Sequence, residues 1–275
     1  MWNWQYWEGL PYLTCDLLAG FAHGFFTRQW SPRPPTELTH ALQSEAERAI
    51  AYHLKQVHGN IVLTPTEIHH QHPTPLPDEE EKERELPQGD GVLTEARNQG
   101  AWVCTADCVP ALIADTRTGQ VAAAHAGWRG TAARIVPVAV SRLQSQGSRV
   151  EDLRVALGPA IAGAVYQVSS AVAAEVVASV LLVAAGSLNT RSTDDIEAVL
   201  AEARQLPDSP LLPDPQPGRE RLDVRQVNAL QLAQLGLKPE QIAIAPHCTF
   251  QTPDRFFSYR RQPERKVQWS GIISR

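Results

Sequence analysis

Short apolar runs bounded by turn residues recur through the first 170 residues of the chain. Their length and alternation predict strands near 12–16, 23–27, 53–57, 60–64, 91–94, 101–105, 110–114, 121–125 and 153–157. Apolar spacings of three and four predict helices at about 36–51, 128–146, 170–184, 194–204 and 223–235. The Ala-rich stretch 128–146 contains Pro137, which has no N–H to donate, so this helix should kink or begin afresh there. Hairpins are mixed with strand–helix alternation, which predicts an α+β fold with mixed sheets rather than a doubly wound sheet.

Two segments break the pattern. Residues 65–88 include HHQHPTPLPDEEEKERELP, a run of prolines and acidic charge with little apolar surface to bury. Residues 207–219 read PDSPLLPDPQPG before the final Arg and look equally poor in packing potential. Both are expected to be mobile insertions. No internal repeat and no linker is visible, so residues 1–275 are expected to form a single domain.

Composition narrows the classes. The 275 residues carry 25 Lys+Arg against 30 Asp+Glu, a formal charge of −5, with pI near 6.0. A nucleic-acid or membrane-surface partner would need clustered cations, so neither is expected. No apolar run reaches the ~18 residues of a membrane span, and MWNWQYWEGL has no basic segment ahead of an apolar one. Four scattered cysteines do not make a disulfide framework. The expectation is a cytoplasmic globular protein. Neither GxGxxG nor a P-loop is present, which argues against dinucleotide and ATP chemistry.

Reactive side chains concentrate in three phrases: KQVHG (55–59), TADC (105–108) and HAGWRG (125–130). Each places a potential ligand or nucleophile at a strand end beside a Gly or a turn. PALIAD and VAAAH are joined by TRTGQ, so a hairpin turning near Arg117–Thr118 would pair His125 with Val109 or Pro110. With Pro110 as the partner, Cys108 and His125 share a face at the open end, their Cβ atoms roughly 7–8 Å apart or less. A slip of one residue would part them. Nothing in the spacing places His58. A Cys and two His could hold Zn²⁺ with one position open, as catalytic sites do. Equally, Cys108 could be a nucleophile with His125 or His58 as base and Asp107 or Asp90 as orienting group. Both His and the Cys could also be plain structural residues.

The phrases HGFFTR, KQVHG, TADCVPALIAD, AAHAGWRGTAARIV, LDVRQVNALQLAQLGL and FFSYRR, in that order, resemble the YfiH-type family. Its members have been called multicopper polyphenol oxidase or laccase-domain proteins and are now assigned as purine nucleoside phosphorylases. The resemblance runs from about residue 20 to 273. It implies mixed β-sheets packed face to face between outer helical layers, a four-layer αββα arrangement like the catalytic domain of cytotoxic necrotising factor. It implies His58, Cys108 and His125 as ligands of a zinc ion. The implied partners are purine nucleosides and phosphate: phosphorolysis of adenosine, inosine and methylthioadenosine, with hydrolytic deamination of adenosine. A rival activity attached to the family is a cytoplasmic Cys/His amide hydrolase acting on peptidoglycan precursors. A metal-binding protein without catalysis is a further alternative. Where relatives carry a Cys pair after Gly-Pro, this chain has Ala164 and Val165.

Other residues are candidates around that set. Arg129 follows Trp128 at a helix start and suits an anion such as phosphate. Arg28 in FFTR and Arg260 in FFSYRR are alternative phosphate contacts, and Gln56 a substrate contact. Asp107 adjoins Cys108 and is a candidate catalytic carboxylate, although it could serve only the loop. Asp90 in QGDGVLT is either a catalytic carboxylate or turn chemistry. His70-Gln71-His72 is the one His-x-His in a chain with nine His, and His247-Cys248 lacks a following His, so a multicopper site is not expected.

Overall fold

The computed structural model describes residues 1–43, 49–71, 86–184 and 195–275. Along the chain, β1 (Trp2–Trp7), β2 (Leu10–Cys15) and β3 (His23–Phe26) precede α1 (Pro35–Leu42), β4 (Ile50–Tyr52), β5 (Val62–Leu63) and α2 (Pro65–Gln71). Then come β6 (Gly91–Leu93), β7 (Gln99–Thr105), β8 (Val109–Asp115), β9 (Val121–Ala126), α3 (Trp128–Ala132), α4 (Ile135–Ser145) and β10 (Leu153–Leu157). The chain closes with β11 (Gln167–Ser169), α5 (Ser170–Ala184), α6 (Ile196–Arg204), β12 (Leu211–Leu212), β13 (Arg219–Leu222), α7 (Val224–Gln234), β14 (Ile242–Ile244) and β15 (Gln268–Ile273).

These strands build two mixed six-stranded sheets, ordered β1-β2-β3-β15-β7-β4 and β14-β10-β8-β9-β6-β5, and a small antiparallel sheet β11-β13-β12. The fold is therefore α+β with mixed sheets. Parallel pairs occur at β4–β7, β10–β14 and β5–β6.

All seven residues of β8 are buried, because both faces of its sheet are covered. Val109, Ala111 and Ile113 pack with Val136, Val140, Val177 and Leu232 of the helices. Leu112 and Ala114 point the other way, into a core shared with Leu13, Phe25, Ala101 and Val103 of the first sheet. In β9 the same period of two sends Ala122 and Ala124 to the helices and Val121 and Ala123 to the space between the sheets. His125 continues the second set. On its far face the first sheet carries Phe26, Trp30, Leu38, Ala51 and Trp102.

Several expectations shift. The helix expected at 36–51 ends at Leu42, and Ile50–Tyr52 instead pair with Gln99–Ala101. The strand expected at 53–57 is absent; Lys55 makes only an isolated bridge to Gln88. The helix at 128–146 is two helices, separated by Arg134 in the left-handed region (φ 59°). Pro137 lies in the first turn of α4, where a missing N–H costs nothing.

The low packing potential expected of 65–88 does not hold at its start. Thr64 and Glu67 exchange hydrogen bonds (Thr64 N–H to Oε2, 2.8 Å; Glu67 N–H to Oγ1, 3.3 Å), a capping box that starts α2. Residues 72–85 lie outside the described ones. In 207–219, Leu211 is buried and pairs with Leu222, and Asp214 accepts from Arg221. Among the described residues, no helix is long and apolar enough to cross a membrane.

Candidate metal and catalytic centre

The site lies at the open end of the space between the two sheets. In the β8–β9 hairpin Pro110 pairs with His125, the register that places Cys108 and His125 on one face. His58 arrives from the segment after β4, its backbone in the left-handed region (φ 62°). One ligand atom from each of His58, Cys108 and His125 lies within 4.8 Å of the others. The two imidazole rings meet edge to face, their centroids 4.7 Å apart.

Asp90 organises this meeting. Its carboxylate is fully buried and accepts the backbone N–H groups of Val57 (3.2 Å), His58 (2.8 Å) and Gly59 (2.7 Å). The same carboxylate is 2.8 Å from Nδ1 of His125, and the Asp90 carbonyl accepts the His125 N–H at 2.7 Å. Asp90 therefore fixes both the turn that presents His58 and the ring of His125, leaving Nε2 for another partner. Burial would raise its carboxyl; the His125 bond and the Gly59 and His58 amides hold it below the usual carboxylate range.

Charge at the centre is arranged for a thiolate. Burial opposes ionisation of Cys108, but the adjacent His125, and then His58, bring its thiol down to about 6. Burial likewise opposes charge on His125, yet Cys108 and Asp90 push it up to about 9. Gly127 permits the close approach: a Cβ there would sit 2.8 Å from Cys108 Sγ and 3.3 Å from His58 Cδ2.

Asp107, in a left-handed conformation (φ 92°), fastens loops with both carboxylate oxygens. Its Oδ1 accepts from Thr249 Oγ1 (2.6 Å), its Oδ2 from the Arg260 N–H (2.7 Å), and its carbonyl from the Ile161 N–H (3.0 Å). Gln56 is also committed to the main chain, donating to the Cys104 carbonyl and accepting the Cys104 N–H, both at 2.8 Å.

A cleft of about 450 Å³ opens over the cluster. Its walls include Gln56, Cys104, Thr105, Tyr259, Glu264, Arg265 and Lys266 beside His58, Cys108 and His125. The three arginines expected to contact an anion are not among these lining residues. The Arg28 guanidinium donates to the Pro253 carbonyl (2.8 Å) and covers the Phe257 ring. That of Arg129 lies 4.2 Å from its neighbour Trp128's ring centroid. Arg260 donates to the Gln167 carbonyl (2.7 Å) and covers Tyr166, whose phenol is pushed up to about 12 by burial and then by the charge of Cys108. Sequence reasoning missed Tyr166, Tyr259 and the 264–266 wall; no spacing relates these to TADC or HAGWRG.

Other metal-like phrases are not drawn together. Among the described residues, His58–Cys108–His125 is the group of three or more potential ligands that meets. His247 packs against Trp4 with the rings tilted, their centroids 5.2 Å apart, and Cys248 Sγ accepts the Ala162 N–H. His70 is exposed in α2, and His72 lies outside the described residues.

Residues 35–273 match the family model described as multi-copper polyphenol oxidoreductase laccase. A Synechocystis protein named purine nucleoside phosphorylase is 48% identical over 275 residues, covering 100% of this chain and 97% of that one. A protein named adenosine deaminase, from an unknown prokaryotic organism, is 28% identical over 62% of this chain and 56% of its own. The crystal structure of YlmD from Geobacillus stearothermophilus superposes with a TM-score of 0.73 at 25% identity, covering 99% of this chain and 98% of that one. The hypothetical protein YfiH of Bacillus licheniformis gives 0.70 at 22%, covering 96% of both chains.

Proposed function

The chain belongs to the laccase-like multi-copper polyphenol oxidoreductase family, and from that membership we propose that it is a zinc-dependent purine nucleoside phosphorylase. The proposed substrates are adenosine, inosine and methylthioadenosine, with deamination of adenosine as a second activity. The observation that carries the reading is the convergence of His58, Cys108 and His125 at the floor of a cleft large enough for a nucleoside. The likeness to the Synechocystis protein named purine nucleoside phosphorylase supports it.

The donor set fits zinc. Two imidazole nitrogens and a thiol disposed to ionise supply three ligands, which leaves a fourth position for water or substrate. Copper oxidation of phenols would need further paired histidines, and the described residues bring none together. Bound there, zinc would supply Lewis-acid polarisation and a hydroxide near neutral pH. Asp90 holds His125 in the tautomer that frees Nε2 and holds the 57–59 turn that carries His58. Asp107 fixes the segment bearing Arg260, and so the wall above the cluster. In phosphorolysis a phosphate oxygen bonds to C1′ of the ribose as the bond from C1′ to the purine breaks. The purine nitrogen keeps the bonding electrons and gains overall the proton that phosphate gives up. Hypoxanthine and ribose 1-phosphate are the products from inosine.

The fold is read as a four-layer αββα stack, with α1 outside the first sheet and α4–α7 outside the second, like the catalytic domain of cytotoxic necrotising factor. Residues 1–275 are read as one domain.

One observation favours a second reading. A thiol brought down to about 6 beside an imidazole pushed up to about 9 is also the charge state of a Cys/His nucleophile pair. Such an amide hydrolase would need no phosphate. Purine release from inosine, measured with and without phosphate, separates the two. Release that depends on phosphate supports the phosphorylase; equal rates in both conditions, or none, would remove it.

A further inference from the structure

A phosphorolytic cleft needs a place for the phosphate, and most cations around this one are already engaged. Lys266 pairs with Glu264 at 2.7 Å. Arg260 is held by the Gln167 carbonyl and the Tyr166 ring. Arg261 donates to the carbonyls of Thr249, Phe250 and Phe256. Arg265 alone among these lines the cleft with no hydrogen bond, ion pair or ring contact to any described residue.

A second feature of the same wall points to a ligand independently. Thr105 is 2% exposed, and its Oγ1 is buried without a hydrogen-bond partner. A buried hydroxyl left unpaired is costly, and Thr105 is the described residue lining this cleft whose side-chain oxygen is buried and still lacks a partner. Thr105 ends β7, and in the β7–β15 ladder it faces Gln268, three residues beyond Arg265. Both residues therefore belong to one end of the cleft, beside Cys104 and across from the second sheet.

We propose that Arg265 and Thr105 form the phosphate subsite of this cleft. The proposal rests on the phosphorylase reading and names the residues that would receive its second substrate. A guanidinium offers two parallel N–H donors to a phosphate edge, and a threonine hydroxyl can donate to a third oxygen. Glu264 is already paired with Lys266, so its charge is partly offset at that edge.

The test uses the zinc-loaded full chain. Arg265→Ala should raise the KM for phosphate roughly ten- to a hundredfold, and Arg265→Lys by less, since a point charge replaces a fork. Thr105→Val keeps the shape and removes the unpaired hydroxyl, so it should fold at least as well while also raising the phosphate KM. The KM for inosine at saturating phosphate should change less than twofold in each. Binding of inorganic phosphate by calorimetry should weaken in parallel, and this readout needs no turnover. A wild-type phosphate KM and affinity in both Arg265→Ala and Thr105→Val would overturn the subsite. Wild-type protein that binds phosphate through Arg265 but releases no purine would instead overturn the phosphorylase reading and leave the subsite standing.

Discussion

The Asp90 carboxylate lies 2.8 Å from Nδ1 of His125 and, through the same oxygen, 2.8 Å from the His58 amide nitrogen. One buried group thus positions two of the three potential ligands: one by its ring, the other by its backbone. Side chains that act in this way usually tune a metal site as strongly as they orient it.

Asp90→Asn should therefore lower zinc affinity, and with it activity, by roughly ten- to a hundredfold. An amide keeps the shape but loses one acceptor and the charge that favours a protonated Nδ1 facing it. Competition with a chromogenic chelator reads the affinity directly. Unchanged affinity would show that His125 and the 57–59 turn hold their places without the carboxylate.

Gly127 sets a steric limit on the same centre. Its φ of −72° is ordinary for any residue, so the constraint is space alone. Gly127→Ala would bring a methyl within 2.8 Å of Cys108 Sγ, closer than real Cβ contacts come. The thiol or the start of α3 must move, and overpacking of this kind costs about 1–3 kcal/mol. The expected result is reduced zinc content with a modest fall in melting temperature. Full zinc retention would show that the hairpin end yields more easily than its burial implies.

Removing the metal exposes the thiol's own chemistry. In chelator-treated protein, alkylation of Cys108 should rise with pH around a midpoint near 6, because His125 and His58 favour the thiolate against burial. The sign follows from the lowered value: thiolate is lost as pH falls through about 6 and persists above it. The ion pair should last until His125 gives up its proton near 9. His125→Ala should move the midpoint upward by removing the neighbouring cation. A midpoint near 9 in the unsubstituted protein would contradict this. Adding zinc should protect the thiol at every pH tested.

Much of this centre was legible because its parts are local. A five-residue connection and strict alternation narrow the β8–β9 register to two choices, Val109 or Pro110 opposite His125, and the structure takes the one that places Cys108 and His125 on one face. His58 was not placed by spacing, since the turn that presents it is held by Asp90, 31 to 33 residues away. Gly-Asp-Gly reads locally as turn chemistry, and the partners that give Asp90 its role are all distant in sequence. β15 was missed for a related reason. Its Gly271 sits where a Cβ would overlap Trp102, so a central strand carries a residue that weakens a strand signal. The start of α2 was missed: Thr64 and Glu67 form a capping box, but the proline and charge beyond them make 65–88 read as an insertion.

Tyr259 supplies the last expectation, about the purine itself. It is 58% exposed, unusual for a large ring, and it lines the cleft together with the His58–Cys108–His125 cluster. Asp107 fixes the adjoining Arg260 amide at 2.7 Å, so the ring's backbone is anchored although its face is open. An anchored, open aromatic face beside a nucleoside-sized cleft suits stacking of a base, worth about 1–3 kcal/mol. Tyr259→Ala should raise the KM for inosine and adenosine alike by roughly five- to a hundredfold. Tyr259→Phe should keep it near the starting value, because stacking needs the ring and not the hydroxyl. Neither change should alter zinc content, as Tyr259 is not among the clustered ligands. Loss of affinity in Tyr259→Phe equal to that in Tyr259→Ala would assign the effect to the hydroxyl and refute the stacking platform.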